Sequence, residues 1–598
     1  MKKRLSFVFF TMILALSLSV FAFAADVSPI TSENGDMTYT LDNGKATIIG
    51  YSGDETSLEI SKIDGYDIVA IAASAFRGNK KLESVTVASN VEKIGSFAFS
   101  NCTSLKSVTF SGENTVLGAR IFDSCSALAS VTLPKKLSAV PDGAFYGCKM
   151  LSDVVLPDSV AEIGTQAFYN CSSLTIANIP QKLSKIGASA FRGCEKIASF
   201  EANGVRELGA FAFYGCTSLE KVSFSALDDI SGYAFYGCNA LKEAKFAKNI
   251  ENIGAYAFHS CVALADGSII GNAKNIGSYA FAECDAFASV TVSNKTVSIG
   301  EGAFYGCDIT SAAINANISS LPDKIFMGCK KLSSVYVADN IKSIGAYAFH
   351  GCVALSSLDI DAEHVGAYAF YGCRKLKNTV IGTKDKKISE RTFYGCDSLV
   401  SVAIPNNIEM IDAYAFASCA SLKDIDMNNI KYIADGAFSK SPSLSEADIK
   451  AVIVSDKAFN GCTSLETVKD TASLVYVGGD AFEGTKWLSD RTEEFVVLGD
   501  GVLVKYKGGD KAHISLPETV KRLPAYRFLT LSSFESIDIP SEVKYISPNA
   551  FIQVYTDTSS GQAVSATKTR EITIYAPKDS YGKYYAIRSY YFTYEKLK

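Results

Sequence analysis

A phenylalanine preceded by alanine, or by a close substitute, recurs along this chain every 21 to 23 residues, with one interval of twice 23 before Phe528. A constant period of this length is typical of repeat architectures, in which one unit buries its apolar side only against its neighbours. The spacing therefore predicts a solenoid rather than a single globular core. The repeat phenylalanines are Phe76, Phe99, Phe122, Phe145, Phe168, Phe191, Phe213, Phe235, Phe258, Phe281, Phe304, Phe326, Phe349, Phe370, Phe393, Phe416, Phe438, Phe459, Phe482, Phe528 and Phe551.

Around each phenylalanine the unit follows the pattern LxxVxVxxxVxxIGxxAFxxCxxL. Alternating apolar residues such as Val85 and Val87 indicate a short strand with one buried face. A proline that often follows, such as Pro157, would end that strand. Glycines of the IG pair, such as Gly95, fit a bend where a Cβ would be costly. The pattern predicts a curved rod of about 21 coils, with a parallel concave β-sheet and short 3₁₀ or turn segments on the convex side.

The N-terminus, MKKRLSFVFFTMILALSLSVFAFA, has three basic residues, an apolar run and an A-x-A site, which predicts a Sec-type signal peptide over residues 1–24. Its removal lowers the Lys and Arg count from 58 to 55 against 63 acidic residues, a net charge near −8. An acidic chain argues against nucleic acid as a partner. No later stretch has the ~20 apolar residues of a spanning helix, so we expect a secreted or cell-surface protein without a visible anchor.

The repeats are preceded by one predicted hairpin, interrupted by a second, and followed by a tail with a different pattern. Asn43-Gly44 centres a hairpin over 38–51, and Asp500-Gly501 centres another in FVVLGDGVLVKYKG. The tail over 572–597 is predicted to form a strand, a short helix and a last strand. Such ends would cover the edges of the solenoid. The predicted organisation is a signal peptide (1–24), an N-terminal cap with a β-hairpin (25–75), repeats (76–494), a hairpin interruption (495–510), repeats (511–551) and a C-terminal cap (552–598).

All 16 cysteines follow a repeat phenylalanine by three residues. An even number in an exported chain usually suggests disulfides. However, fifteen of them, Cys102 to Cys419, occupy consecutive coils, and Cys462 has Ser441 and Thr485 as its neighbours in the ladder. Stacked side chains that point the same way have poor disulfide geometry. We therefore predict buried free thiols and, as a further hypothesis, a reducing or anaerobic habitat.

The stretches GAYAFHSCVAL (254–264) and GAYAFHGCVAL (345–355) each place a histidine two residues before a cysteine. Because the cysteines should point inward, His259 and His350 are interpreted as solvated convex-side residues rather than metal ligands. The sequence contains no GxSxG, HExxH, CxxC pair or phosphate-binding glycine loop. We predict no enzymatic activity, no catalytic residue and no cofactor.

The residues between the buried strand positions should form a concave ligand face. Along the chain this face changes from small hydroxyl side chains to acidic ones. Four carboxylates on neighbouring strands would repel one another, which a Ca²⁺ ion or a basic partner could offset; a solvated acidic patch is the alternative. The ligand-face candidates are Ser84, Thr86, Ser107, Thr109, Ser130, Thr132 and Tyr336, and the calcium candidates are Asp424, Asp426, Glu446 and Asp448.

A second stripe is aromatic. Tyrosines follow the repeat phenylalanine at Tyr146, Tyr169, Tyr214, Tyr236, Tyr305, Tyr371 and Tyr394, and precede it by two residues at Tyr256, Tyr279, Tyr347, Tyr368 and Tyr414. Tyrosine offers a large contact area with a polar end, as protein interfaces favour. Half-buried packing between coils would produce the same stripe, and the sequence does not separate the two interpretations.

The segments LPDSVAEIGTQAFYNCSSL (156–174) and IPNNIEMIDAYAFASCASL (404–422) resemble the BspA-like (Treponema-type) leucine-rich repeat proteins. DGVLVKYKG (500–508) and APKDSYGKYYA (576–586) are similar to terminal elements of that family. The resemblance covers roughly residues 36–598. It implies a leucine-rich repeat fold and a secreted or surface protein of a host-associated or anaerobic bacterium, and some members of the family are linked to adhesion.

We therefore expect an exported, non-enzymatic leucine-rich repeat protein that binds a protein or glycan ligand, as an adhesin between cell and host or between cells. Host matrix or another cell surface would supply the ligand. The alternative is a structural component of the cell envelope or extracellular matrix, in which the chain assembles with itself.

Overall fold

The computed structural model describes residues 28–176, 178–528, 531–557, 564–569, 571–588 and 592–597. The predicted signal peptide over 1–24 lies outside this range. The chain divides into two compact units, Met1–Lys196 and Ile197–Lys598. The fold is a parallel β-solenoid of about 23 turns with little helix, which confirms the predicted solenoid. The number of turns exceeds the 21 repeat phenylalanines because coils without one, such as that of the hairpin at 495–506, also join the ladders.

The regular secondary-structure elements in the described part of unit 1 are all strands. They are β1 (Ile30–Thr31), β2 (Met37–Asp42), β3 (Lys45–Tyr51), β4 (Ser57–Ile60), β5 (Lys62–Ile63), β6 (Tyr66–Ile71), β7 (Ser84–Val87), β8 (Lys93–Ile94), β9 (Ser107–Phe110), β10 (Val116–Leu117), β11 (Ser130–Thr132), β12 (Ala139–Val140), β13 (Asp153–Val154), β14 (Glu162–Ile163), β15 (Thr175–Ile176) and β16 (Lys185–Ile186).

Each complete coil of unit 1 has two strands, one for each half of the repeat pattern. The first strand follows LxxVxV, and these strands form the six-stranded parallel sheet β4-β7-β9-β11-β13-β15. The second strand has two residues and precedes the IG pair, as in β6-β8-β10 and β12-β14-β16. The hairpin around Asn43-Gly44 is present: β2 and β3 are antiparallel, and both turn residues have positive φ. Strand β3 then pairs in parallel with β6, which joins the hairpin to the first coil.

The described elements of unit 2 continue the pattern and add three α-helices and one 3₁₀ helix. They are β17 (Ser199–Glu201), β18 (Glu207–Leu208), β19 (Lys221–Phe224), β20 (Asp229–Ile230), β21 (Glu243–Phe246), β22 (Ile250–Ile253), α1 (Ser268–Asn272), β23 (Ala273–Ile276), β24 (Ser289–Val292), β25 (Ser298–Ile299), β26 (Ser311–Ile314), β27 (Ser320–Leu321), β28 (Ser334–Val337), β29 (Ser343–Ile344), β30 (His364–Val365), β31 (Lys387–Ile388), β32 (Ser401–Val402), β33 (Met410–Ile411), β34 (Asp424–Ile425), β35 (Tyr432–Ile433), β36 (Glu446–Asp448), β37 (Ile453–Val454), β38 (Thr467–Lys469), a 3₁₀ helix (Thr471–Ser473), β39 (Tyr476–Val477), α2 (Lys486–Ser489), β40 (Phe495–Leu498), β41 (Val502–Tyr506), β42 (His513–Ser515), β43 (Arg522–Leu523), β44 (Ser536–Asp538), β45 (Tyr545–Ile546), β46 (Ile552–Asp557), β47 (Val564–Thr569), β48 (Ile572–Ala576), α3 (Tyr581–Ile587) and β49 (Phe592–Lys596).

The sheet of first strands is interrupted in unit 2. The repeat predicts a first strand between β22 and β23, but the structure has helix α1 there. The physical reason is that Ile269 and Ile270 are adjacent and both buried, whereas a strand would alternate buried and exposed residues. The described residues also contain no first strand between β28 and β30, or between β30 and β31. The sheet β24-β26-β28 therefore stands alone, while second strands continue past α1 as β20-β22-β23-β25.

The C-terminal end forms the predicted strand, helix and strand. Strand β48 pairs in parallel with both β44 and β49, and the side chain of Ser580 caps α3 by accepting a hydrogen bond from Lys583 N. The antiparallel hairpin β46-β47 was not predicted. The second predicted hairpin, β40-β41, is present, and β41 pairs in parallel with β43 rather than standing outside the ladder.

The repeat phenylalanines stack into an interior column in each unit. Adjacent ring centroids are 4.9 to 5.8 Å apart in unit 1 and 5.1 to 6.0 Å apart in unit 2. Hydrogen-bonded turns hold this column: Phe76 N donates to Ala98 O, and Phe258 N donates to Ala280 O, both at 2.8 Å. The residue two before the phenylalanine often has positive φ, as at Tyr256 (57°).

The glycine of the IG pair is required by the neighbouring coil rather than by a bend. Gly95 and Gly254 do not have positive φ, but a Cβ at either position would lie within 3 Å of the backbone of the preceding coil. The predicted need for glycine is therefore correct, and its cause is the close approach of adjacent coils.

All 16 cysteines are buried thiols, and the described residues form no disulfide, as predicted. The thiols donate to the phenylalanine carbonyl of the preceding coil at 2.9 to 3.3 Å. Ser441, which replaces a cysteine, makes the same bond to Phe416 O at 2.8 Å. The thiol donors are Cys102, Cys125, Cys148, Cys171, Cys194, Cys238, Cys261, Cys284, Cys307, Cys329, Cys352, Cys373, Cys396, Cys419 and Cys462.

Candidate ligand-binding site on the strand face

The strand face is the surface formed by the outward side chains of the first strands. In unit 1 it contains the six predicted hydroxyl residues, and the structure brings them together. Ser84, Ser107 and Ser130 are cross-strand neighbours on β7, β9 and β11. Thr86, Thr109 and Thr132 form the adjacent row, and all three are exposed. This part of the strand face is an even, uncharged, hydroxyl-rich surface.

In unit 2 the strand face contains a cavity of about 850 Å³ over β24, β26 and β28. Its floor holds Ser289, Ser311 and Ser334, which are cross-strand neighbours. Their hydroxyl groups have no hydrogen-bond partner among the described residues, so they are available to a ligand. The predicted ligand-face residue Tyr336 also lines this cavity.

The sheet that forms the cavity floor is interrupted on both sides, and the cavity is lined by the segment on the side after β28. Helix α1 replaces the strand that would precede β24, and the segment 356–361 follows β28 without forming a strand. Asp359, Ile360 and Asp361 of that segment line the cavity. The loss of a covering strand also leaves Val335 half-buried, whereas Val108 at the equivalent position of unit 1 is 1% exposed.

Tyr336 is the most exposed aromatic side chain on this face. Its side chain is 58% exposed, and its cross-strand neighbour on β26 is Ala313, whose methyl group is too small to cover a ring. Asp339 and Asp359 also line the cavity, and neither has a basic partner within ion-pair distance among the described residues. Lys342 Nζ pairs with Asp361 Oδ2 at 3.1 Å. The cavity therefore combines an open aromatic ring, free hydroxyl groups and an excess of negative charge.

The structure places three of the four acidic calcium candidates on two strand pairs, and the fourth, Asp426, directly after β34. Asp424 lies on β34, which pairs with β32, whereas Glu446 and Asp448 lie on β36, which pairs with β38. Glu446 Oε1 already accepts from Lys469 Nζ at 2.5 Å. Burial and the nearby Asp470 carboxylate raise the pKa of Asp448. Asp426 Oδ1 accepts from the backbone of Asn428. No group of three metal-ligating side chains is found within the described ranges, and calcium binding stays a prediction.

The aromatic stripe on the turn side packs ring against ring. Tyr146 and Tyr169 stack at 4.6 Å, and Tyr214 and Tyr236 at 4.7 Å. These rings are half-buried, and this geometry favours packing between coils over an open interface.

The interpretation of His259 and His350 as solvated residues is wrong. His259 stacks on Tyr236 at 4.8 Å and His350 on Tyr371 at 4.6 Å, and both are half-buried. Burial lowers the pKa of both imidazoles. They belong to the aromatic stripe, because an imidazole fits the stacking position that tyrosine occupies in other coils.

His513 has a different setting on the strand face of unit 2. Its Nδ1 lies 2.8 Å from Ser536 Oγ and its Nε2 lies 3.1 Å from Asp538 Oδ2. Ser515 Oγ donates to the same carboxylate oxygen at 2.6 Å. No local sequence pattern indicates this cluster, because its members come from β42 and β44, 23 residues apart.

The model of the BspA type leucine rich repeat region matches residues 52–175, 161–270, 251–377, 363–489 and 506–571. These segments cover most of the chain. The chain belongs to the BspA-type leucine-rich repeat family. The predicted resemblance is therefore confirmed, and with it the leucine-rich repeat fold. None of the curated proteins matches this BspA-type chain.

Several solved structures are similar to this BspA-type protein. A leucine-rich repeat protein from Bacteroides ovatus is 21% identical, with 74% of this chain and 98% of that chain covered and a TM-score of 0.43. A leucine rich cell surface protein from Faecalibacterium prausnitzii is 23% identical, with coverages of 68% and 96% and a TM-score of 0.31. The leucine rich repeat protein of T. pallidum is 24% identical, with coverages of 41% and 90% and a TM-score of 0.21.

No helix in the described ranges of this BspA-type protein combines the length and the apolar character that a membrane span needs. Leucine-rich repeat proteins of this family have a surface protein-interaction role, and binding of protein ligands is their typical activity.

Proposed function

We propose that this protein is exported and binds a protein or glycan ligand, without catalysis, in the cavity over β24, β26 and β28. In this role it acts as an adhesin towards host matrix or another cell. The observation that carries the proposal is the cavity itself, whose floor is three in-register strands and whose wall presents Tyr336. Binding clefts combine apolar surface with a few polar groups in this way.

Two further observations support an exported ligand-binding protein. Residues 1–24 carry the features of a signal peptide, and the remaining chain is acidic. The buried thiols fit a reducing or anaerobic setting outside the cell, because an oxidising one favours disulfides. Counting free thiols in the purified, denatured protein would test that setting: about eight disulfides in place of 16 free thiols would contradict it.

The test uses the mature chain, residues 25–598, against arrays of extracellular matrix proteins and glycans. Tyr336→Ala should weaken binding to any ligand found, by about tenfold or more for a central aromatic contact. The control is Tyr432→Ala, which removes another exposed tyrosine, 37% accessible, from a second strand of the same unit. Equal loss in both variants, or no loss in Tyr336→Ala, would reject the cavity as the binding site.

Self-assembly is the alternative, and the C-terminal end supplies the observation that favours it. Helix α3 exposes Tyr584 (47%) and Ile587 (61%), and β49 pairs with β48 on one side only among the described residues. An open strand edge can pair with another chain. Sedimentation velocity over a concentration series would decide: association without ligand that Ile587→Asp abolishes supports this role, and a monomer at all concentrations contradicts it.

A further inference from the structure

The cavity over β24, β26 and β28 has a chemical preference that its residues define. We propose that it binds a cationic side chain, the lysine or arginine of a basic peptide segment. This inference rests on the proposed function, because it names the ligand class of the same site.

The first step is the charge of the cavity. Three aspartates line it, Asp339, Asp359 and Asp361, against one lysine, Lys342. Lys342 neutralises Asp361, since their charged atoms are 3.1 Å apart. Two carboxylates remain without a basic partner among the described residues, so the empty cavity carries a net negative charge of about two. A cation would restore neutrality, whereas an anion would be repelled.

The second step is the aromatic ring. Tyr336 is 58% exposed and has Ala313 rather than a large side chain beside it on β26. Asp359 follows in the next coil, at the position of the repeat that matches Tyr336. An accessible tyrosine face near a carboxylate attracts an ammonium or guanidinium group through both its ring and its charge. A neutral sugar would use the ring and the floor hydroxyls but would gain nothing from the two carboxylates.

The third step is the role of Lys342. If the ligand is a cation, loss of this lysine should raise the affinity, a direction of change that a purely structural role would not produce. Its ammonium group occupies the cavity wall and repels a cationic ligand while it pairs with Asp361. Its removal should therefore strengthen the binding of a cation. The side chain is more than one-third exposed, so its loss should have little effect on folding.

The experiment measures fluorescence anisotropy of labelled tetralysine with the mature chain, residues 25–598. We expect binding that Tyr336→Ala weakens about tenfold and Asp359→Asn about fivefold, and that Lys342→Gln strengthens about threefold. Two matched controls should bind like the wild type: Asp153→Asn, which removes an exposed carboxylate from the strand face of unit 1, and Tyr432→Ala. Circular dichroism would verify that each variant is folded.

The outcomes separate the two proposals. Absence of tetralysine binding, equal weakening in Asp153→Asn, or unchanged binding in Lys342→Gln would overturn the cationic preference. Binding of neutral maltotetraose that depends on Tyr336, without binding of tetralysine, would retain the proposed function and reject the inference. If the arrays yield no ligand that depends on Tyr336, the proposed function fails as well.

Discussion

The strand faces of the two units are built from the same repeat and differ in continuity. In unit 1 six first strands, β4 to β15, form one uninterrupted sheet, and three of them, β7, β9 and β11, carry even rows of hydroxyl side chains. In unit 2 the sheet β24-β26-β28 is flanked by a helix on one side and a strandless segment on the other. The cavity lies on the interrupted sheet. Recognition on this scaffold is therefore expected where the sheet is broken, rather than where it is most regular.

The interior does not share this difference. Phe349 and Phe370 stack at 5.5 Å with rings 6° from parallel, although the coil between them lacks a first strand. Cys373 Sγ still donates to Phe349 O at 3.1 Å. The stacked turns and the paired second strands β29 and β30 thus hold these coils in register without a first strand, which leaves the strand face free to vary. The packing of the interior is therefore separate from the continuity of the strand face.

The largest effect should come from alkaline pH, which acts on the interiors of both units. Burial raises the pKa of the Cys238, Cys307 and Cys419 thiols to about 12, against 9.0 for an ordinary thiol. The unfolded chain releases these protons first, so full stability persists below pH 9 and is lost as the pH rises towards 12. Each such thiol should contribute a loss of about 1.4 kcal/mol per pH unit in this window.

Circular dichroism at constant temperature, in the presence of a reductant, would follow this loss between pH 7 and 11.5. The triple variant with Cys238→Ser, Cys307→Ser and Cys419→Ser is the control, because serine makes the same hydrogen bond at position 441 and does not ionise in this range. A wild-type signal that stays constant up to pH 11 would show that the thiols do not carry this stability.

Removal of one phenylalanine from the interior column should have the next largest effect. It tests directly whether the packing of the interior is independent of the first strands. Phe370 lies between two coils without first strands, whereas Phe168 lies among complete coils. If the turns carry the packing, Phe370→Ala and Phe168→Ala should each lower the local free energy of unfolding by about 3–5 kcal/mol. Hydrogen exchange of the neighbouring turn amides would measure both. A much smaller loss for Phe370→Ala would mean that the first strands are needed for tight packing.

Restoration of the missing strand should have a smaller effect on stability. Asp359→Thr together with Asp361→Ser makes the segment after β28 resemble SVTV of β7. Because strand propensities span only about 1 kcal/mol, we expect the melting midpoint to rise slightly or stay constant. Ligand binding at Tyr336 should nevertheless fall well below that of Asp359→Asn, which removes the same charge, because the cavity closes. If the double variant binds the ligand as tightly as Asp359→Asn does, the break in the sheet is not what creates the site.

Calcium should produce the smallest effect. Glu446 is already paired with Lys469, so at most a weak site, with a dissociation constant of about 10⁻⁴ to 10⁻³ M, is expected near Asp424 and Asp426. Calorimetry should show a small heat for the wild type that disappears in the double variant Asp424→Asn, Asp426→Asn. Equal heats from the two proteins would leave the acidic patch as solvated surface.

The sequence predicted the periodic part of the structure because that part depends on local patterns. The Phe column, the thiols and both glycine-centred hairpins follow from residues within one coil. Helix α1 was missed because the repeat was extended through ADGSIIGN, where Ile269 and Ile270 stand side by side instead of alternating. The strandless segment after β28 was missed because LSSLDID still alternates apolar and polar residues. Its departure from the sheet depends on packing between coils, which spacing alone does not reveal.

The candidate site was predicted only in part for the same reason. Tyr336 and the hydroxyl rows follow from strand alternation, which fixes the outward positions. The contribution of Asp359 and the pairing of Lys342 with Asp361 depend on where the next coil runs. The stacking of His259 was missed because the sequence shows which residue occupies a slot and not how closely its neighbours approach.

The thiol of one coil and the phenylalanine carbonyl of the coil before it form a joint that is the same at almost every step. If a whole coil were inserted or removed, the coils on either side would form the same thiol-to-carbonyl hydrogen bonds, and no new type of contact would be needed. The near-identity of residues 254–264 and 345–355 fits a chain that lengthened by copying a block of coils. Its reach could then change in steps of one coil, while each new copy remained free to acquire its own outward residues.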